Sequence, residues 1–460
     1  MAPRFGTSGL RGLVEELTDG LVADHVRAFL SVTRHSGELL IGRDLRPSSA
    51  RIAEAVISAA AECGLRTFDC GVLPTPALAM AAMQRDAPAI MVTGSHIPAD
   101  RNGLKFYTPE GEITKQQEKA IVAALSGPTP APRACATPMP AAARAYIDRH
   151  VDFLPDQALA GLTIGVWQHS SVARDLLPEL LRRLGARVIE LDRSQEFVPV
   201  DTEAVDTDTR RRLQDWVRDL DLDAIVSTDG DADRPLVANE TGRVVPGDIL
   251  GLLTAAELGA DTVVTPVSSN TAIERCGLFA RVIRTRIGSP HVIAGMKQAM
   301  ADPAARVAGF EANGGFLLGF SAKGRVPLSP LLTRDAMLPI LAILARAARH
   351  GTDLSDLLAG LPGRRTAADR LQEIPTEQSA SLVAALDSGS DLRARLLAGL
   401  GAEDRIDRTD GLRISLTDGA IVHLRPSGNA PELRVYVEAD DQQQADELLA
   451  LMLNRVRNLL

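Results

Sequence analysis

Aromatic residues make up only 3% of this 460-residue chain. Its cores must therefore be filled by Leu, Ala and Val rather than by rings. Cysteine is equally scarce: Cys63, Cys70, Cys135 and Cys276 are the four present. Their spacing fits no metal motif, and so few in so long a chain exclude a disulfide scaffold. A reducing, cytoplasmic setting is expected, and the opening Met-Ala-Pro-Arg-Phe-Gly lacks signal-peptide character. No apolar run approaches the roughly 18 residues of a membrane-crossing helix, so no membrane partner is expected. An excess of positive charge is missing too. With 50 Lys and Arg against 59 Asp and Glu the net charge is −9, which argues against nucleic acid as a partner. Any phosphate site must then be built locally from a few cations.

What is present is ordinary for a globular protein, 45% hydrophobic and 24% charged, and the length calls for three or four domains. A strand–loop–helix–strand pattern occurs three times. Glu38–Gly42 leads through Arg43-Asp-Leu-Arg-Pro-Ser-Ser into a helix over Ala50–Cys63, with Gly64 as its stop and Arg66–Cys70 as the next strand. Leu162–Trp167, a helix over Val172–Leu184, Gly185 and Arg187–Leu191 repeat the pattern. Thr262–Pro266, a helix near Thr271–Cys276 and Gly277 repeat it again. Each copy places Ser-Ser at the strand-to-helix turn. A serine cap alone is a weak sign, but the shared order predicts three related α/β domains with mixed sheets. Five prolines between Ser126 and Ala141 read as a linker. After Pro362-Gly363 the character changes: strands over Gly411–Leu416, Ala420–Leu424 and Glu432–Glu438, and an amphipathic helix over Gln442–Leu459, predict a smaller antiparallel α+β domain. The expected units are 1–140, 141–247, 248–362 and 363–460, arranged around a central cleft.

Two stretches carry chemistry on their face. After the strand ending at Val92, Thr-Gly-Ser95-His96 breaks the chain, and turns at Pro98 and Asn102-Gly103 precede Lys105. A serine so placed should expose its hydroxyl among open backbone N–H groups, the parts of an anion site, although an exposed loop serine is commonly nothing more. Further on, a strand over 221–227 runs into Thr228-Asp229-Gly-Asp231-Ala-Asp233-Arg234. Three alternate carboxylates converge and repel, and a divalent cation with a preference for oxygen, such as Mg²⁺, relieves that repulsion; a solvated acidic turn is the plainer alternative. A calcium EF-hand is excluded, because Arg234 stands where glycine is required, Pro235 follows, and a strand precedes the loop.

Taken together, these stretches resemble the α-D-phosphohexomutases, the family of phosphomannomutases, phosphoglucomutases and phosphoglucosamine mutases. Thr-Gly-Ser-His-x-Pro-x-x-x-Asn-Gly-x-Lys at 93–105 is similar to their phosphoserine loop, and Asp-Gly-Asp-x-Asp-Arg at 229–234 to their metal loop. Phe-Gly-Thr-Ser-Gly-Leu-Arg11-Gly is similar to an N-terminal loop that lines their active site, and Arg425-Pro-Ser427-Gly428-Asn429 to their phosphate loop, with Asn429-Ala430 as a departure. The resemblance implies a phosphoryl group on Ser95, Mg²⁺ on Ser95, Asp229, Asp231 and Asp233, and Arg11, His96 and Lys105 as catalytic partners. It further implies sugar phosphates as substrates, with Arg234, Gly288, Glu311, Asn313 and Arg434 beside them and 425–429 on the distal phosphate. A hexose 1,6-bisphosphate would act as activator. Asn313 departs from the usual serine of the Gly-Glu-x-Ser-Gly sugar loop. Near Gly288 the usual histidine is absent, and His291 either replaces it or is a surface residue. Phosphoglucosamine mutase and a serine- and metal-dependent sugar phosphatase are the competing enzyme readings, a sugar-phosphate binding protein the competing non-enzyme one.

Overall fold

The computed structural model describes residues 3–6, 9–427 and 431–460. Glu38–Arg43 shows why its region folds as it does. Its four central residues, Leu-Leu-Ile-Gly, are all buried, so the run is continuous rather than alternating, as in a parallel strand covered on both faces. It lies between Arg66–Val72 and Ala89–Val92, parallel to both, and Arg101–Thr108 is added antiparallel beyond Ala89–Val92.

The second unit repeats this order with Arg187–Arg193, Thr163–His169, Ala224–Thr228 and the antiparallel Pro235–Ala238. The third repeats it with Arg281–Thr285, Thr262–Pro266, Val307–Phe310 and the antiparallel Phe316–Leu318, to which Leu331–Asp335 adds another antiparallel strand. The three α/β units thus share strand order as well as serine turns. One turn is equivalent in all of them, the turn between the third strand and its antiparallel neighbour. It falls at residues 93–100, 229–234 and 311–315, so the serine, aspartate and glutamate loops occupy the same topological position in successive units.

The fourth sheet is wholly antiparallel, in the order Arg365–Gln372, Glu432–Ala439, Ile421–Pro426, Leu412–Leu416, Glu403–Asp407. Its core of Leu, Ile and Val under Thr376–Ser388 and Gln442–Arg457 is its own. One apolar core instead runs through all of the first three units, beside smaller cores confined to each. Buried Arg364 joins the two bodies. It bonds Glu438 (2.7 Å), Asp440 and the Gly419 carbonyl, while its own carbonyl accepts from Asn270 Nδ2 at 3.1 Å. Among the described residues no helix is long and apolar enough to cross a membrane.

Three expectations about elements are corrected. The helix expected from Val172 begins at Leu176: Pro178 has no N–H for the Arg174 carbonyl, which accepts from Gln168 Nε2 at 2.8 Å instead. The proline linker supplies a short strand, Thr137–Pro138, paired with Phe68 and Asp69. The last domain has two further strands, Arg365–Gln372 and Glu403–Asp407, whose polar, largely exposed residues give no apolar alternation at the sheet edges.

Candidate active site

Ser95 follows the buried strand Ala89–Val92 and takes a left-handed conformation, φ +55°, a cost on the order of 1–3 kcal/mol that its surroundings must offset. Those surroundings correct the expectation of an exposed hydroxyl among open N–H groups. Ser95 is only 3% exposed. Its N–H donates to Thr93 Oγ1 at 2.8 Å, and the Gly94 N–H to Asp44 Oδ2 at 3.2 Å.

The turn is held by Arg46, a residue the sequence reading left unassigned. All its guanidinium nitrogens are engaged: Nε with Asp44 Oδ2 (3.2 Å), Nη1 with the carbonyls of Pro98 (2.6 Å) and Arg101 (2.9 Å), Nη2 with those of Ser95 (2.9 Å) and Ile97. Phe197 of the second unit stacks on it, 4.0 Å from ring centroid to Cζ. Gly94 is glycine because of this packing, since a Cβ there would lie 2.5 Å from Arg46 Cζ. Asn102 donates to Ser48 (2.8 Å) and Ser49 (2.9 Å), which ties the far end of the loop to the Ser-Ser turn.

Into this loop the second unit inserts its aspartates. Ser95 Oγ donates to Asp229 Oδ2 at 2.6 Å. Asp229, Asp231 and Asp233 are buried, each with a carboxylate oxygen within 4.8 Å of the others'. Lys105 Nζ bonds Asp231 Oδ2 and Asp233 Oδ2 at 2.5 Å each; Thr75 Oγ1 adds a contact to Asp231 (2.6 Å) and Arg334 Nη2 one to Asp233 (2.7 Å). Asp231 Oδ1 and Asp233 Oδ1 remain buried without a hydrogen-bond partner. Burial and the charges of Asp231 and Asp233 push Asp229 well above the usual carboxylate range. Burial would raise Asp231 as well, but Lys105 overrides it and holds Asp231 low. Two buried carboxylate oxygens therefore lack a donor. These donors are hard and all oxygen, so the cluster could hold a divalent metal.

The remaining first-unit residues converge on the same place. His96 Nδ1 is 3.4 Å from Ser95 Oγ. The charge of Arg234, with burial second, presses the His96 ring down to about 3, which leaves it neutral. Arg11 reaches the loop through its backbone, Nη1 to the Thr93 carbonyl at 2.6 Å, rather than to the serine hydroxyl. Burial depresses it to about 10 against the pull of Asp231. Arg234 stands 3.9 Å from Asp229 and 3.8 Å from Asp233, with a buried Nε lacking a hydrogen-bond partner.

The third unit contributes Glu311, buried and bonded to Arg334 Nη1 at 3.2 Å. Asn313 directs Oδ1 to its own turn, accepting from the Gly315 N–H at 3.0 Å. Gly288, at φ +122°, caps the helix Ser289–Ala299. His291 lies in the first turn of that helix and, among the described residues, its ring makes no hydrogen bond. The nearby Ser289 hydroxyl donates to Glu112 Oε2 at 3.0 Å, across to the first unit.

In the fourth unit Arg425 and Arg434 face each other on neighbouring strands, a pairing of like charge that is unfavourable until an anion joins it. Arg425 Nε is 2.8 Å from Asp410 Oδ2, close enough for an ion pair, yet its N–H is not directed along the contact and remains unbonded. Asp410 Oδ2 also accepts from the Ile287 N–H at 3.0 Å. Arg434 Nε is likewise buried without a hydrogen bond. Ser427 is buried, its N–H bonded to the Glu432 carbonyl at 2.9 Å. Gly428 and Asn429 lie outside the described residues. Glu203 joins the two sides. It is solvent-exposed, with protein crowded around it. That crowding and the charge of Asp201 raise it, with Arg234 and Arg434 opposing. The sequence reading also missed Thr75, Glu203 and Arg334; none stands in a glycine-rich loop, and their signal is visible only in space.

Comparison with known proteins gives one consistent answer. The descriptions "Phosphoglucomutase/phosphomannomutase, alpha/beta/alpha domain" I, II and III match residues 2–130, 144–242 and 246–364, and the corresponding C-terminal domain matches 368–455. The phosphomannomutase of Sinorhizobium fredii is 46% identical over 98% of each chain. That of Salmonella muenchen is 45% identical over 99% of this chain and 96% of its own. Among solved structures, a putative phosphomannomutase from Thermus thermophilus superposes with a TM-score of 0.77, covering 100% of this chain and 99% of that one. At 24% identity it speaks for the fold alone.

Proposed function

The chain belongs to the phosphoglucomutase/phosphomannomutase family, and from that membership we propose that it is a phosphohexomutase interconverting hexose 1-phosphate and hexose 6-phosphate. It is an isomerase, and mannose and glucose phosphates are its substrates in preference to glucosamine phosphate. The phosphomannomutase relatives at 45–46% identity support that preference. The observation that carries the reading is the Ser95 hydroxyl, 2.6 Å from the first of three buried aspartates brought by another unit, with Lys105 bonded to the other two.

In this reading Ser95 carries the phosphoryl group. Transfer to a free sugar hydroxyl breaks the P–Oγ bond and forms a P–O bond to the sugar, giving a hexose 1,6-bisphosphate. The hydroxyl proton leaves toward His96, neutral and 3.4 Å from Oγ. The reverse transfer, from the other phosphate, restores phospho-Ser95. Lys105 and Arg11 offset the charge on the transferring group. Asp229, Asp231, Asp233 and Ser95 would hold Mg²⁺, which supplies positive charge beside the phosphoryl oxygens. Glu311 and Asn313 grip sugar hydroxyls, Arg234 and Gly288 line the cleft, and Arg425, Ser427, Gly428, Asn429 and Arg434 take the distal phosphate. The units 1–140, 141–247, 248–362 and 363–460 each contribute one loop. Free hexose 1,6-bisphosphate acts as activator by rephosphorylating Ser95, and the enzyme works in the cytoplasm.

The test is a coupled assay on mannose, glucose and glucosamine 1-phosphates with and without hexose 1,6-bisphosphate, alongside intact-mass analysis. The expected results are one extra phosphate on the purified protein, its absence in Ser95→Ala, and loss of nearly all turnover in that variant. A fully active Ser95→Ala would overturn the mechanism. A kcat/KM favouring glucosamine 1-phosphate about tenfold, or about 1.4 kcal/mol, would overturn the substrate.

A further inference from the structure

Arg334 is the penultimate residue of the strand Leu331–Asp335, and its side chain is 6% exposed. It forks between two units: Nη1 donates to Glu311 Oε1 at 3.2 Å, and Nη2 to Asp233 Oδ2 at 2.7 Å. A planar guanidinium presents its donors as a rigid fork, so it fixes two carboxylates relative to one another more firmly than an ammonium on a flexible stem. Its stem lies over Gly315, where a Cβ would come within 2.6 Å of Arg334 Cδ, 2.8 Å of Cγ and 3.0 Å of Cβ. The absence of a side chain at 315 is thus what lets Arg334 reach the site.

The residue is also fixed from behind. Its neighbour Asp335 accepts from Tyr146 OH at 2.5 Å and from the Met337 N–H at 2.9 Å, and lies 3.2 Å from His150 Nε2. Tyr146 and His150 belong to the helix Ala141–Phe153 that leads into the second unit. Charge compensation at Asp233 is shared with Lys105, which bonds the same Oδ2 at 2.5 Å as well as Asp231. What Arg334 adds is the tie to Glu311. It anchors one carboxylate oxygen and leaves the other without a hydrogen bond among the described residues.

We propose that Arg334 is a positioning residue that sets the sugar-binding carboxylate of Glu311 in register with the aspartate loop, and that Gly315 is glycine to admit it. The inference rests on the phosphohexomutase reading and deepens it. Through this fork, sugar binding at Glu311 and metal binding at Asp233 influence one another. Arg334→Met keeps most of the volume and removes the fork. It is expected to raise KM for hexose 1-phosphate about tenfold or more with a smaller fall in kcat, a split of the kind that marks lost binding. In the wild type, saturating sugar phosphate should shift the Mg²⁺ affinity read by calorimetric titration; in Arg334→Met that shift should vanish.

Arg334→Lys reaches one carboxylate at a time and should recover part of the KM without recovering the shift. Gly315→Ala displaces the stem and should reproduce the raised KM. Combined with Arg334→Met it should add little further, since both act through one contact. It also keeps the idea testable should Arg334→Met fail to fold. An unchanged KM and an intact Mg²⁺ shift in Arg334→Met, or full additivity with Gly315→Ala, overturns this inference while leaving the mutase reading standing. A wild type that turns over no hexose phosphate instead removes the premise.

Discussion

The tripeptide Arg-Pro-Ser occurs at 46–48 in the first unit and again at 425–427 in the fourth, and the two arginines are used in opposite ways. Arg46 is buried with every guanidinium nitrogen bonded, most of them to carbonyls of the nucleophile's turn. It has no donor left for a ligand, and its contribution is shape. Arg425 stands across from a second arginine, paired to Asp410 by charge but with its Nε–H undirected. Its contribution is an unmet demand for an anion. The reacting side of the cleft is thus finished before substrate arrives, while the side assigned to the distal phosphate is completed by it. Preorganisation governs rate on the first side, and charge-assisted contacts govern affinity on the second.

Each variant below tests that division. Removing what the packed side exists to build should have the largest effect. Chelation should abolish turnover and Mg²⁺ restore it, while Asp231→Asn should lower kcat about 100-fold or more and weaken metal affinity. Chelator-treated protein of normal activity would make the aspartates structural.

Arg46→Lys comes next. An ammonium has three donors for what five now hold, and a loose serine turn of about 1 Å can cost about 100-fold in kcat. Loss of the buried pairing with Asp44 should also lower the melting temperature, whereas KM should barely move. Wild-type kcat in this variant would show that the turn holds itself.

The smallest effect on kcat is expected at the other Arg-Pro-Ser. Arg425→Ala should weaken the 1-phosphate and the 6-phosphate by similar factors, a loss of roughly 2–4 kcal/mol in binding, at unchanged melting temperature. Turnover should come to depend on added hexose 1,6-bisphosphate. Damage to one monophosphate alone would mean that the loop serves a single orientation of the sugar.

The limits of the sequence follow the same division. Glycine-punctuated loops announce themselves, so Ser95, the three aspartates, Glu311 and Arg425 stand out in the sequence as candidates, and three of the four sheets are legible in outline. Arg46 was not. It stood in a quoted loop beside Asp44 and looked like an ordinary helix entry, because its partners are backbone carbonyls of residues 95–101, which carry no sequence signature. Thr75, Glu203 and Arg334 were hidden for a related reason: each meets the site only once separate units have docked. Gly94 was legible as a break in the chain but its reason was not: the Arg46 guanidinium occupies the space a Cβ would need. The late start of the helix at Leu176 turned on one missing N–H, at Pro178.

Asp410 has one further consequence. Its Oδ2 sits 2.8 Å from Arg425 and holds the Ile287 N–H at 3.0 Å, so the resting site already contains a resident rival for the arginine. A phosphate arriving at Arg425 gains only the difference between its own attraction and that of the carboxylate it displaces. In an enzyme built only to bind, such competition would be wasteful. In the proposed reaction the same phosphate must be gripped, released and gripped again while a bisphosphate turns over within one catalytic cycle, and a grip moderated by an internal competitor makes the letting go as accessible as the holding.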